Sequence, residues 1–241
     1  FAQEFEKMDA TRLEPIFDDY SKINQSEKIN GKIPFYFMKN TKNEVFSLNY
    51  ILDMGSYSDK EIALAVQYLE YLGTDKYSAN ELQVELFKKG LSYSVYAADE
   101  RVYVSLSGLE ESFEEGVELF EHILANVQPN QEAYDNMVQG IYKERQDNKL
   151  SKYYILYRGM FNYGRYGEES PMKHIFSNEE LKKIDVNNLV AKIKELTSYE
   201  HYVYYYGKKE LAEAKTILEK HHKTSEALKP LIAAKEFPEL D

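Results

Sequence analysis

The sequence of 241 residues has no cysteine, no tryptophan and no long hydrophobic run. Without cysteine, disulfides, thiolate metal sites and cysteine nucleophiles are excluded. No apolar stretch approaches the roughly 20 residues that a membrane-spanning helix needs, so no membrane span is predicted. Basic residues are also few relative to acidic ones, and the net charge is -11. A chain of this charge without a basic stripe is not expected to bind nucleic acid.

The residues that are present indicate a folded protein with one sizeable core. Hydrophobic residues make up 43% of the chain and charged residues 29%, which is typical of a globular domain. The 22 tyrosines suggest large half-buried faces on the sheet and helices. Composition does not fix the compartment: the cell envelope or periplasm and the cytoplasm both remain open. The chain begins at Phe1, so we expect a mature form or a piece of a longer protein.

The pattern along the chain predicts one domain between two connecting segments. Residues 1–31 are polar and without clear periodicity, and we interpret them as a leader or linker. Residues 32–223 carry all the strong periodic patterns and form the predicted domain. Residues 224–241 include two prolines and are interpreted as a C-terminal linker.

Alternating apolar residues predict two hairpins and one further strand. The first hairpin joins "KIPFYFMKN" to a strand from Glu44 to Met54. The second joins Leu91–Ala97 to Val102–Leu106, and "EHYVYYYG" forms the last strand. Because the strands come as hairpins without a βαβ repeat, the predicted fold is α+β: an antiparallel sheet with helices packed on one side.

Helical spacing and capping residues predict the helices between these strands. Ser58 and Glu61 form a predicted capping box at the start of a helix that runs from Asp59 to Leu72. The same device is repeated before two later helices, by Ser78 with Glu81 and by Ser177 with Glu180. Further helices are predicted over Glu111–Val127, "QEAYDNMVQGIYKERQDN", "SKYYILYRGMFNYGRYG", "VNNLVAKIKELT" and Glu210–His222.

The chemistry of the chain rests on the stretch "VQYLEYLGT", which contains Gln67, Glu70 and Tyr71. In the zinc-binding pattern H-x-x-E-H, two histidines four apart on a helix hold the metal, and the glutamate acts as general base on a zinc-bound water. The spacing of these three residues is the same, but both histidine positions are occupied by other side chains. Neither an amide nor a phenol with a pKa near 10 is a good zinc ligand at neutral pH.

Around this stretch the chain resembles one homology domain of the pitrilysin/insulinase family of zinc peptidases. The resemblance covers about residues 32–223 and is carried by "SLNYILDMGSYSD", "LGTDKYSANELQVELFKKG", "GLEESFEEGVELF" and "AYDNMVQGIYKERQDN". It implies that Glu144 stands at the position of the family's third zinc ligand. It also implies a peptidase-like fold in which Gln67, Glu70, Tyr71 and Glu144 form a degenerate site without metal.

The resemblance implies a function as well. Active members enclose peptides between a zinc-bearing half and a silent copy, in one chain or in two subunits. We therefore expect a non-catalytic, substrate-enclosing domain whose partners are a catalytic half or subunit and a peptide substrate. Zinc and the intact H-x-x-E-H are expected elsewhere in the full protein. Two alternatives remain: a stand-alone silent subunit or scaffold protein on the same fold, and an active metalloenzyme with an unusual site at Glu70 and Glu144.

Other side chains offer weaker candidates for function. Silent units of the family often pair a tyrosine with an arginine seven residues earlier to hold the peptide, and the resemblance places Tyr93 at the tyrosine position. Leu86 occupies the arginine position, so a substrate role for Tyr93 is only a secondary prediction. The five histidines are predicted to be exposed or locally bonded, with the adjacent His221 and His222 on different sides of their helix.

Overall fold

In the computed structural model, which describes Phe17, Asp19 and residues 23–240, a single six-stranded sheet organises the chain. The strands, in chain order, are β1 (Asn24–Ile29), β2 (Ile33–Lys39), β3 (Val45–Leu52), β4 (Leu91–Ala97), β5 (Val102–Leu109) and β6 (Tyr202–Gly207). Their order across the sheet is β1-β2-β6-β3-β5-β4, and every neighbouring pair is antiparallel except β2 and β6, which are parallel. The α+β class is confirmed, with a sheet that is mixed rather than purely antiparallel.

The helices follow the predicted order. They are α1 (Lys60–Leu69), α2 (Ala79–Lys88), α3 (Phe113–Asn126), α4 (Gln131–Leu150), α5 (Phe161–Tyr166), α6 (Asn178–Leu181), α7 (Val186–Glu195) and α8 (Leu211–His221). Tyr154–Met160, between α4 and α5, is π-helical. No helix of the described residues is long and apolar enough to cross a membrane.

One face of the sheet forms the core, because alternate residues of each strand point to the same side. β6 shows strict alternation of buried and half-buried residues, and Val203 and Tyr205 are fully buried. Tyr202, Tyr204 and Tyr206 of β6 lie on the opposite, more open face. The buried face packs against the apolar sides of α1, α3, α7 and α8.

The predicted first hairpin is wrong, because β6 lies between β2 and β3. Asn40 explains the separation. Its buried side chain donates to Val45 O (2.8 Å) and accepts from Lys42 N (2.9 Å), while its main-chain N–H donates to Gly207 O at the end of β6 (2.7 Å). The connection after β2 is thus a wide loop that spans two strand spacings, about 10 Å, rather than a tight turn.

A second correction concerns the predicted leader. Asn24–Ile29, inside the 1–31 segment, forms β1 and pairs antiparallel with β2. The turn between them is made by Asn30 and Gly31, which have positive φ angles of 50° and 71°, and Lys32 N–H donates to Ile29 O. An Asn-Gly pair favours this type of hairpin turn, so the sequence held a signal for the strand. The rest of the predicted leader lies mostly outside the described residues.

The predicted capping residues are partly confirmed. Ser78 with Glu81 and Ser177 with Glu180 form complete capping boxes at α2 and α6. At α1 the cap is Asp59, whose Oδ1 accepts from Glu61 N–H at 2.8 Å. Ser58 does not cap the helix, and its hydroxyl is buried without a hydrogen-bond partner. The Asp59 carboxylate also forms an ion pair with Lys192 at 2.6 Å. An uncharged serine hydroxyl could not neutralise that lysine.

The predicted C-terminal linker lies against the domain rather than leaving it directly. Lys229 forms a parallel bridge with Tyr199, and Lys235 N–H donates to Tyr57 O at 2.9 Å. Farther along, Leu240 N–H donates to Arg165 O at 2.7 Å. The segment has no regular secondary structure and is fixed through these main-chain contacts.

Candidate functional site

The degenerate motif lies at the C-terminal end of α1. Gln67 is on the exposed side of the helix, whose opposite side is buried against the core through Ile62, Val66 and Leu69. The helix ends at Leu69, and Glu70 is its cap residue. Tyr71 lies beyond the helix, bonded through its N–H to Tyr68 O, with 43% of its surface exposed. The predicted helix to Leu72 is therefore three residues too long.

A cleft of about 540 Å³ brings three of the four motif positions together. Gln67 and Glu70 line it from α1, and Glu144 lines it from α4. Tyr71 is not among the residues that line the cleft. The structure thus joins the positions that the resemblance implied, from two helices that are far apart in sequence, while leaving the tyrosine outside.

The charges in this cleft do not fit a zinc ion. From the motif the cleft contains two carboxylates and an amide, with no imidazole at either histidine position; the imidazole of His174, from a different segment, also lines it. Arg145 and Lys60 line the same cleft, and these two positive charges would repel a metal ion. Arg145 is fixed there because its guanidinium donates to Phe176 O at 2.6 Å. Among residues 23–240, no three His, Asp or Glu side chains converge as metal ligands.

Tyr93 lies under the end of α1 rather than in the cleft. Its hydroxyl is 3.5 Å from Leu69 O, and burial together with the nearby Glu70 carboxylate raises its pKa to about 12. The phenol is therefore neutral at physiological pH and can only act as a hydrogen-bonding group there. Leu86, at the position of the expected arginine, is buried in the core. A substrate role for Tyr93 stays a prediction.

Two histidines differ from the expectation of exposed or locally bonded side chains. His201 and His222 are buried, and their Nε2 atoms lie 2.9 Å apart. His201 Nδ1–H donates to Tyr199 O (2.7 Å), and His222 Nδ1 lies 2.8 Å from Glu121 Oε1, which also accepts from Tyr50 O–H at 2.6 Å. Glu121 lies on α3 and Tyr50 on β3, whereas His222 follows α8 and His201 precedes β6. No local pattern in the sequence could therefore reveal this chain of contacts.

Comparison with known proteins gives a family match for the sequence. The sequence profile described as "Insulinase (Peptidase family M16)" matches residues 37–164, which is more than half of the chain. A comparison with proteins of curated function gave no significant match.

Solved peptidase structures share the fold. Similar structures include the ferredoxin protease FusC in complex with Arabidopsis ferredoxin (TM-score 0.75, 13% identity, 97% of this chain and 28% of FusC). The periplasmic protease PqqL from Escherichia coli gives a TM-score of 0.71 at 12% identity, over 99% of this chain and 29% of PqqL. A peptidase M16 inactive domain from Pseudomonas fluorescens gives 0.73 at 16% identity, over 89% of this chain and 53% of that structure.

At these identities the structural likeness shows the fold. The chain spans less than a third of either protease and about half of the Pseudomonas domain. The family assignment itself rests on the profile match, which covers β3, β4 and β5, α1 with its degenerate motif, and α4 with Glu144. This chain belongs to the insulinase family, peptidase family M16.

Proposed function

We propose that this chain is a non-catalytic unit of a larger zinc endopeptidase, in which it helps to enclose the peptide substrate. The observation that carries the proposal is the composition of the α1–α4 cleft. Gln67 occupies the first histidine position in the cleft, the second is Tyr71 outside it, and Arg145 shares the cleft with Glu144. Without a metal to lower the pKa of water and polarise the carbonyl, this cleft lacks the means to hydrolyse a peptide bond.

The lengths of the related proteins support the same proposal. FusC and PqqL are proteases more than three times as long as the part that this chain matches, and the Pseudomonas structure is described as an inactive domain. A protein of that length can contain catalytic units in addition to a unit of this size. In such a protein a silent unit contributes by excluding water and by orienting the peptide, which lowers the entropic cost of reaching the transition state.

Metal content and turnover in the full-length protein test the proposal. The isolated chain is expected to hold less than about 0.1 zinc per molecule after metal-free purification, since it lacks the imidazole ligands of a zinc shell. In the full-length protein, Glu70→Gln with Glu144→Gln should leave peptide turnover within about twofold. The matched change is Glu→Gln at the glutamate of the intact H-x-x-E-H, which should abolish turnover because it removes the general base.

Two results would contradict the proposal. One tightly held zinc per isolated chain, lost on Glu144→Gln, would favour the active metalloenzyme. Unchanged turnover after deletion of residues 24–240 from the full-length protein would favour the scaffold reading. The deletion begins at residue 24 because β1 starts there, and leaving that strand unpaired would create an aggregation-prone edge.

A further inference from the structure

The segment after α4 exposes an unusual number of large apolar side chains. Eight of them lie within residues 150–163, and we call this set the apolar ridge: Leu150, Tyr153, Ile155, Leu156, Tyr157, Met160, Phe161 and Tyr163. Their exposed fractions run from 44% for Ile155 to 83% for Leu150. Neither the π-helical Tyr154–Met160 nor α5 contains a buried residue.

Such a segment does not gain its stability from the core. A helix that is apolar around its circumference is normally buried, and exposed apolar patches of this kind mark interaction sites in soluble proteins. The π-helical turn adds a second indication, because π-helical insertions are rare and occur frequently at functional sites. We therefore expect a binding partner to cover the ridge in the functional protein.

A groove runs between the ridge and α4. Its volume is about 880 Å³, and its apolar lining comes from Tyr142, Tyr154, Ile155, Met160, Tyr163 and Ile175. Arg145, Asn148, Tyr154 and Ile175 line both this groove and the α1–α4 cleft. The two spaces are thus adjacent and can take a ligand that is extended, such as a polypeptide segment.

The charge of this region is opposite to that of the whole protein. Residues 143–158 include five basic and two acidic side chains, whereas the chain as a whole has a net charge of -11. The basic residues are Lys143, Arg145, Lys149, Lys152 and Arg158. Within the described part of the chain, none of the five forms an ion pair. Two of the five, Arg145 and Lys149, line the groove itself. Cations without an ion-pair partner at an apolar groove complement acidic side chains that flank apolar anchors.

We propose that the apolar ridge and its groove bind an extended, acidic polypeptide segment through apolar anchor residues. This deepens the proposed function, on which it rests, by naming the class of peptide that the silent unit selects. The apolar anchors supply the affinity by filling the groove, and Lys149, Lys152 and Arg158 select acidic flanking residues. Selection by these exposed charges acts mainly on specificity and association rate, and it weakens with salt.

Peptide binding to the 241-residue chain tests this inference. The probes are three fluorescently labelled 12-residue peptides with the same two leucines and one phenylalanine, flanked by glutamate, glutamine or lysine. Fluorescence anisotropy at low salt should show at least tenfold tighter binding of the glutamate peptide than of the lysine peptide. The preference should decrease severalfold at 0.5 M salt.

Two variants locate the binding surface. Tyr157→Ser with Met160→Ser should weaken binding of the glutamate peptide at least tenfold, and both side chains are more than half exposed, so the fold should be retained. Lys152→Glu with Arg158→Glu should reverse the preference between the acidic and basic peptides. Phe87→Ser is the matched control, since Phe87 is an exposed apolar residue on α2, and it should change nothing.

Other results would overturn the inference. Equal affinity for the three peptides, or equal effects of Phe87→Ser and of the ridge variant, would exclude this surface. Self-association of the chain that Tyr157→Ser with Met160→Ser abolishes would show that a second copy covers the ridge. If a cysteine introduced by Tyr157→Cys reacts with a thiol reagent in the isolated chain but not in the peptide-free full-length protein, a neighbouring unit covers it. These tests measure affinity without turnover, so they can fail while the proposed function holds.

Discussion

The buried His201–His222 pair should make the fold sensitive to mild acid. Burial is the main reason that the pKa of His201 falls from its ordinary value of 6.5 to about 4, and the adjacent His222 lowers it further. His201 uses its Nδ1–H to bind Tyr199 O, so its Nε2 can only accept and His222 Nε2–H donates to it, while a second proton lies between His222 Nδ1 and Glu121 Oε1. Protonation of His201 would place two N–H groups against each other across 2.9 Å and break that hydrogen bond.

The magnitude follows from the difference between the two pKa values. The unfolded chain binds a proton at His201 near pH 6.5, whereas the folded chain binds it only near pH 4. Between these values the unfolded state holds more protons, so stability rises with pH and falls on acidification. A difference of about 2.5 units at about 1.4 kcal/mol each sets an upper limit between 3 and 4 kcal/mol. Since folded His201 is half protonated at pH 4, about 3 kcal/mol of this is lost between pH 7 and pH 4.

Urea denaturation of the chain at pH values from 7 to 4 measures this loss. His201→Gln should be less stable at pH 7, because it disturbs the contacts with His222 and Tyr199, but it should lose about 3 kcal/mol less on acidification than the wild type. His221→Gln is the matched control on α8; it removes a partly exposed pair with Glu114 (3.4 Å), so it should change the pH dependence by less than about 1 kcal/mol. Carboxylates that titrate in the same range are common to all three proteins and cancel in the comparison. Identical pH dependence of the His201 variant and the wild type would refute the reasoning.

Two further predictions concern single side chains with a matched neighbour. Asp59→Ala should cost at least about 1 kcal/mol of stability through loss of the α1 cap together with the ion pair to Lys192, whereas Ser58→Ala should cost almost nothing because its hydroxyl has no partner; thermal denaturation of both variants checks this, and equal losses would restore Ser58 as the cap. Glu110→Gln should cost about 1–3 kcal/mol, because this buried carboxylate accepts from Tyr205 O–H (2.6 Å) and Lys208 N–H (2.7 Å). Glu111→Gln, on the exposed side of the same turn, should be near neutral; a loss as large as that of Glu110→Gln would show that burial is not the cause.

One part of the candidate site could be predicted from local spacing, and another part could not. Local spacing placed Gln67 and Glu70 at the end of one helix and Glu144 on another, and the cleft joins them. The position of Tyr71 outside the cleft depends on where α1 ends. A difference of two residues in that end decides whether the side chain lies on the helix or beyond it. The presence of Arg145 and Lys60 in the cleft depends on packing between elements, which periodicity does not describe.

Helix and hairpin signals in the sequence were mostly sufficient to predict the individual helices and strands. The β4–β5 hairpin, the capping boxes of α2 and α6 and the α+β class are all local properties of short segments. Apolar periodicity and capping act within a few residues, so the chain itself carries that information. The Asn-Gly turn before β2 was equally local, and its signal lay within the segment interpreted as a leader.

Only the tertiary structure decided which distant segments meet. β6 enters between β2 and β3 because its buried face completes the core, although about 150 residues separate it from either strand. The same packing buries His201 against His222 and leaves the apolar ridge without a cover. The sequence by itself determined the local elements and the presence of Gln67 and Tyr71 in place of histidine at the motif spacing, because both depend on residue type and short spacing. Strand order, histidine burial and the open groove depend on long-range packing, to which neighbouring residues give no guide.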